Sequence, residues 1–147
     1  MAEAVVSVPR ALPARLVLYD GVCGFCDGAI RWVLEHDPAG RLGFAPLQGE
    51  TAARLRRLHS EIPVELETLV LVESARGSSR VFLRSDAIWR VCAELAGPWR
   101  WLAWLRWVPR SLRDFCYGQF VRRRYRWFGR LEACRLPDAA ERERFWP

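Results

Sequence analysis

The sequence predicts an α/β fold in the order β-α-β-α-β-β-α, followed by a C-terminal helical extension rich in Trp and Arg. Three observations carry this. Short apolar runs closed by turn residues alternate with stretches of helical apolar spacing up to residue 97. Two strand-like runs, Leu66–Ser74 and Arg80–Ser85, flank the turn-forming string Ala-Arg-Gly-Ser-Ser. From Trp99 onward the strand signals stop, and Trp and Arg dominate. The expected organisation is a loose arm at 1–14 and a single domain at 15–147, with a core at 15–97 and the helical extension at 98–147.

Leu16–Tyr19 is expected as a buried strand, because a brief apolar run ends in Asp-Gly. A helix is expected from about Cys23 to Glu35, with Phe25, Ala29, Ile30, Val33 and Leu34 at spacings of three and four. Asp37-Pro38-Ala39-Gly40 closes it. Arg41–Ala45 reads as a second strand, since Leu42 and Phe44 alternate with Arg41 and Gly43. Glu50–Ser60 is a short Arg-rich helix with Leu55 and Leu58 expected inward. After the hairpin, Ser85 or Asp86 should cap a helix through Ala96, stopped by Gly97-Pro98. The first two strands, joined by a helix, should be parallel. In the extension, Trp99, Trp101, Trp104 and Trp107 wander round a helix of period 3.6, which predicts burial on several sides. Pro109 breaks that segment, Ser111 can cap the next helix, and Gly129 ends it.

The 147-residue chain is long enough for one real core. At 51% apolar residues it is not a disordered chain. All 23 basic residues are Arg, and the net charge is +6. The N-terminus lacks the pattern of a secretory signal, and no apolar stretch reaches the ~20 residues of a membrane helix. Five cysteines, an odd count and apart from Cys23 and Cys26 widely spaced, do not make a secreted disulfide scaffold, so a cytoplasmic location is expected.

The chemistry-bearing motif is Cys23-Gly24-Phe25-Cys26. Cysteines three apart in a first helical turn share a face, and a small adjustment brings them within disulfide range. The first sits where unpaired amides and the helix dipole favour a thiolate. In such sites the nucleophile's pKa falls from ~8.5 to between ~3.5 and 7.5. The redox reading makes Cys23 the attacking thiolate and Cys26 the less exposed resolving thiol. A zinc reading would need two further ligands at related spacing, and Cys92, Cys116, Cys134, His36 and His59 are scattered singly. An inert-core reading fits Cys92 and Cys116 on apolar helix faces, but the Gly21-Val22 turn should leave Cys23 at the surface. Asp20 is either a turn cap or a carboxylate that relays a proton to or from Cys26.

The string YDGVCGFCDGAIRWVLEHDPAGRLGFAPLQG resembles the DCC family of predicted thiol-disulfide oxidoreductases, named for the Asp-x-x-Cys-x-x-Cys motif that stands here as Asp20, Cys23 and Cys26. FLRSDAIWRV, GPWRWLAWLRWVPRSLRDFCY and RRRYRWFGRLEACRLP extend the likeness to about Pro137. The resemblance implies a thioredoxin-like fold, dithiol-disulfide chemistry and a site role for Asp20. Thioredoxin-like proteins usually place a cis-Pro before the third strand, facing the cysteines. Here Pro63 comes too early and Thr68 stands at that place, so Gly24, Phe25 and Thr68 form the expected substrate-facing set. The expected partners are a disulfide- or thiol-containing protein or small molecule and an electron donor. No organic cofactor, metal or nucleic acid is expected. The Arg/Trp-rich tail is expected to cap the core; the rival is a module that binds nucleic acid or a membrane surface with that tail, its Cys pair idle or zinc-bound.

Overall fold

The computed structural model describes residues 11–63, 69–75, 78–128 and 142–146. Its core elements are β1 (Arg15–Tyr19), α1 (Gly24–His36), β2 (Gly43–Pro46), α2 (Glu50–Leu58), β3 (Val70–Ala75), β4 (Ser78–Leu83) and α3 (Ser85–Ala93). The strands form one sheet in the order β2-β1-β3-β4. β1 and β2 are parallel, while β3 runs antiparallel to both β1 and β4. This is the thioredoxin-like α/β arrangement.

Strand alternation sorts β1 between two layers. Val17 and Tyr19 pack with Phe44 and Leu71 under Ile30 and Val33 of α1 and Ala87 and Val91 of α3. Leu16 and Leu18 point the other way, with Ala45, Val70 and Val72, against Ala52 and Leu55 of α2. Both faces of β1 are therefore covered, as its unbroken apolar run requires.

The outer edge of β2 is closed by the C-terminal segment. Phe145 bridges Phe44, and the Trp146 amide donates to the Phe44 carbonyl at 2.8 Å. Such cover removes an edge open to another strand. Gly43 is needed here, because a Cβ would lie 2.6 Å from Pro13 and 2.7 Å from Trp146. Arg144 locks the closure by donating to the Leu42 carbonyl and to the carboxylate of Asp37, which is buried. Arg144→Ala is expected to cost about 2 kcal/mol in chemical denaturation, below the ~3–5 of a fully buried pair because the arginine is 21% exposed.

Several expectations need correction. Leu58 is 76% exposed, because α2 ends there and only Thr51, Ala52 and Leu55 face the sheet. α3 stops at Ala93 rather than Ala96, and its N-cap is Arg84, at φ 55°, rather than Ser85 or Asp86. Ser85 instead donates to Asp114. β3 begins at Val70; residues 64–68, including Thr68, lie outside the described residues, as does Cys134.

The largest correction concerns the extension. Gly97–Trp107 is a 3₁₀ helix, followed by α4 (Arg110–Phe128). The 3₁₀ helix buries none of its residues, and Trp101, Trp104 and Trp107 are 77%, 72% and 74% exposed. A 3₁₀ helix has three residues per turn, so these three rings align in one row instead of wandering. α4 does cover the core. Tyr117 accepts a hydrogen bond from the Leu69 amide at 2.7 Å, and Phe120 packs edge-on to Phe25. Cys116, expected on a buried apolar face, is exposed, because that face of α4 runs through Tyr117 and Val121. Cys92 is buried as expected, and burial pushes its thiol up to about 11.

Candidate active site

The site forms where β1 ends and α1 begins. The turn between them is held tightly: the Cys23 amide donates to the Asp20 carbonyl at 3.3 Å, and the Val22 amide to Asp20 Oδ1 at 3.1 Å. Gln48, after β2, bridges from the side. It accepts from the Gly21 amide at 3.1 Å and donates to Asp20 Oδ1 at 2.8 Å. Asp20 thus serves as the turn residue that its position before Gly21 suggests. Its carboxylate is fully buried.

Cys23 is the N-cap of α1. Its sulfur accepts a hydrogen bond from the Cys26 amide at 3.4 Å, in the place a Ser or Asp oxygen occupies in an ordinary cap. A helix-end amide, that of Cys26, thus points at Cys23 Sγ, as the sequence predicts. The predicted exposure does not hold. Cys23 is fully buried, and Cys26 is the more exposed of the two. The Asp20–Cys23 turn folds inward against Gln48 rather than outward, which draws the sulfur under the surface.

Arg124, from α4, was not foreseen. Its guanidinium donates to Asp20 Oδ2 at 3.0 Å with one nitrogen and to Cys26 Sγ at 3.6 Å with another. The ion pair is almost wholly buried, with the Arg124 side chain 4% exposed. A planar guanidinium suits this bridging role, since its donors lie in a rigid fork. Asp20 therefore meets the dithiol through Arg124 as well as through the chain.

Cys26 is strongly perturbed. Its thiol is pushed up to about 12, first by burial, then by its hydrogen bond to Cys23 and by the Cys23 charge. The neighbouring Asp20 charge adds to this, and Arg124 opposes it. Cys26 therefore keeps its proton at neutral pH. Burial also raises Tyr117, about two turns before Arg124 and facing the same region.

The structure thus brings together Asp20, Cys23 and Cys26 of the sequence-derived set, with Gly24 and Phe25 between the sulfurs. Phe25 is partly exposed beside Phe120. Arg124 and Gln48 were missed. A signal for Arg124 existed, because Tyr117, Phe120, Arg124 and Trp127 recur at spacings of three and four, which marks one helix face. His36 and His59 are engaged elsewhere, with the Trp32 carbonyl at 2.7 Å and with Ser79 at 2.6 Å. Among the described residues, no three His, Cys, Asp or Glu side chains converge on a common metal position, and no helix is long and apolar enough to cross a membrane.

Comparison with known proteins agrees with this geometry. The chain is 35% identical to the uncharacterized protein YuxK of Bacillus subtilis (strain 168), over 92% of this chain and 96% of that protein. It is 32% identical to a chloroplastic DCC family protein of Arabidopsis thaliana, over 82% of this chain and 69% of the relative. No solved structure matches it. The family model for DCC1-like thiol-disulfide oxidoreductases matches residues 17–130, which span the dithiol turn, the sheet and α4, and the chain belongs to that family.

Proposed function

We propose that the protein carries out reversible thiol-disulfide exchange, with Cys23 as the attacking sulfur and Cys26 as the resolving one. The observation that carries the assignment is the unequal setting of the pair. Cys23 caps the helix and accepts hydrogen bonds, whereas the Cys26 thiol is held protonated up to about 12. Family membership supports the reaction class.

In the reductive direction, Cys23 thiolate attacks a substrate disulfide. A Cys23–substrate disulfide forms, and the other half leaves as a thiolate. That step removes the charge of Cys23 and its role as acceptor for the Cys26 thiol, two of the causes that hold Cys26 up. Arg124 remains in place beside the Cys26 sulfur and favours its anion. Cys26 gives its proton to the thiolate released in the first step or to water and attacks Cys23, which breaks the Cys23–substrate disulfide and releases the second half of the substrate as a thiolate. The substrate gains two electrons, and the protein is left with a Cys23–Cys26 disulfide that an external thiol donor must reduce. The burial of Cys23 adds a condition: the Asp20–Cys23 turn must open locally before a substrate sulfur can reach it. The substrate class is a disulfide- or thiol-containing protein or small molecule.

The test is capture of the intermediate with oxidised glutathione, read by intact mass and peptide mapping. Cys26→Ser is expected to retain one glutathione on Cys23. Cys23→Ser, which keeps the burial of Cys26 but loses the Cys23 charge, is expected to form an adduct at position 26 far more slowly than Cys26→Ser forms one on Cys23. An adduct on Cys26 in the Cys23→Ser protein, with none on Cys23 in the other, would reverse the roles. No adduct on either would remove the proposed activity.

A further inference from the structure

We propose that the 3₁₀ helix Gly97–Trp107 is a peripheral docking element for anionic lipid bilayers. The observation behind it is a row of indoles that packing does not explain. Trp101, Trp104 and Trp107 follow one another at intervals of three residues, which in a 3₁₀ helix stacks their side chains along one side. At ~2 Å rise per residue the row is about 12 Å long. Trp101 and Trp104 stack, with ring centroids 6.4 Å apart and planes inclined by 18°. Each of the three rings leaves more than 70% of its surface in solvent. Soluble proteins seldom expose contiguous apolar area of this kind without a use for it.

The other two rows of the helix point to the occupant. One holds Trp99, Leu102 and Leu105, all partly exposed, and Trp99 ties the element to the core by packing edge-on to Trp32. The other holds Arg100, Ala103 and Arg106. No acidic residue occurs between Gly97 and Arg113, and neither Arg100 nor Arg106 forms an ion pair among the described residues. Arg106 lies over the Trp107 ring, 5.0 Å from its centroid. Indoles beside guanidinium groups match the boundary between acyl chains and headgroups, where the ring sits at the interface and the cation meets phosphate.

Two other occupants fit less well. Single-stranded RNA would use the indoles and arginines, but it gains nothing from Leu102, Leu105 and the exposed Leu112 and Phe115 of α4, which have no matching role in base stacking on a basic groove. A second copy of the chain would bring Arg100 and Arg106 against their own equivalents, with no acid in the segment to offset them. A lipid surface uses the aromatic, aliphatic and cationic rows together.

The test is co-sedimentation of the full-length protein with vesicles of phosphatidylcholine alone and of phosphatidylcholine with phosphatidylserine. The wild type is expected to favour the anionic vesicles and to be released by added salt. The triple change Trp101→Ser, Trp104→Ser, Trp107→Ser should weaken binding to the anionic vesicles more than about tenfold. Arg100→Gln with Arg106→Gln should weaken it about fivefold per arginine on anionic vesicles, with no change on neutral ones. All five side chains are exposed, and far-UV circular dichroism checks that the fold survives. Equal sedimentation with both vesicle types, or unchanged binding in the Trp variant, would overturn the proposal. So would a wild-type dimer that the Trp variant dissolves, or Trp-dependent retention of single-stranded RNA without vesicle binding.

Discussion

Arg124→Met is expected to lower the stability of the reduced protein by about 3 kcal/mol in chemical denaturation. Breaking a buried ion pair from one side leaves the other charge without compensation, at a typical cost of ~3–5 kcal/mol. Here the stranded group is the Asp20 carboxylate, which is fully buried. The lower end applies because the Val22 amide and the Gln48 side chain still hold Oδ1. Adding Asp20→Asn to Arg124→Met should restore part of the loss, since the neutral amide needs no cation, and the double-mutant cycle then reports the coupling. A loss under about 1 kcal/mol, with no recovery in the double variant, would mean that the pair does not hold α4 to the dithiol turn. Arg124→Lys separates charge from geometry. A lysine can reach one acceptor but does not reproduce the rigid fork that spans Asp20 and Cys26. It should fold better than the methionine variant while slowing the resolving step, which the glutathione adduct lifetime on Cys23 reads.

The second large effect is the difference in reactivity between the two sulfurs. With its thiol pushed up to about 12, Cys26 is almost wholly protonated at pH 7. Only the thiolate attacks an alkylating reagent, so Cys26 is nearly silent there. Cys23 is the partner toward which the amide of Cys26 and its thiol both point. Its handicap is access, because the sulfur is sealed. Access is a matter of local opening, and the turn that covers it is short and held by a few hydrogen bonds to Asp20 and Gln48. Alkylation of Cys23 should then remove the hydrogen bond and the charge that add to burial in keeping Cys26 protonated, so that labelling is sequential.

The core was legible in the sequence where one period was clean. Leu16–Tyr19 ends in Asp-Gly, and Ile30 and Val33 keep helical spacing; both gave elements within two residues of those found. The motif placed Cys23 at a helix start with Cys26 one turn on, which the cap hydrogen bond matches. Three things were hidden for physical reasons. The row of Trp101, Trp104 and Trp107 has period three, which looks scattered when wound at 3.6 and regular when wound as a 3₁₀ helix. Arg124 stands 104 positions from Asp20, within the Arg-rich tail that is expected to cap the core, and only the fold selects which of its arginines turns inward. The burial of Cys23 depends on Gln48, since a turn sequence alone does not say whether it bows toward solvent or toward a neighbouring loop.

The measurement that bears most directly on the account is alkylation of the reduced, folded protein by iodoacetamide across pH, with each cysteine quantified by peptide mapping. The account predicts labelling of Cys23 at neutral pH without denaturant, with Cys26 labelled only in molecules already modified at Cys23, or at strongly alkaline pH. Labelling of Cys26 before Cys23, or protection of Cys23 until the protein unfolds globally, would contradict it.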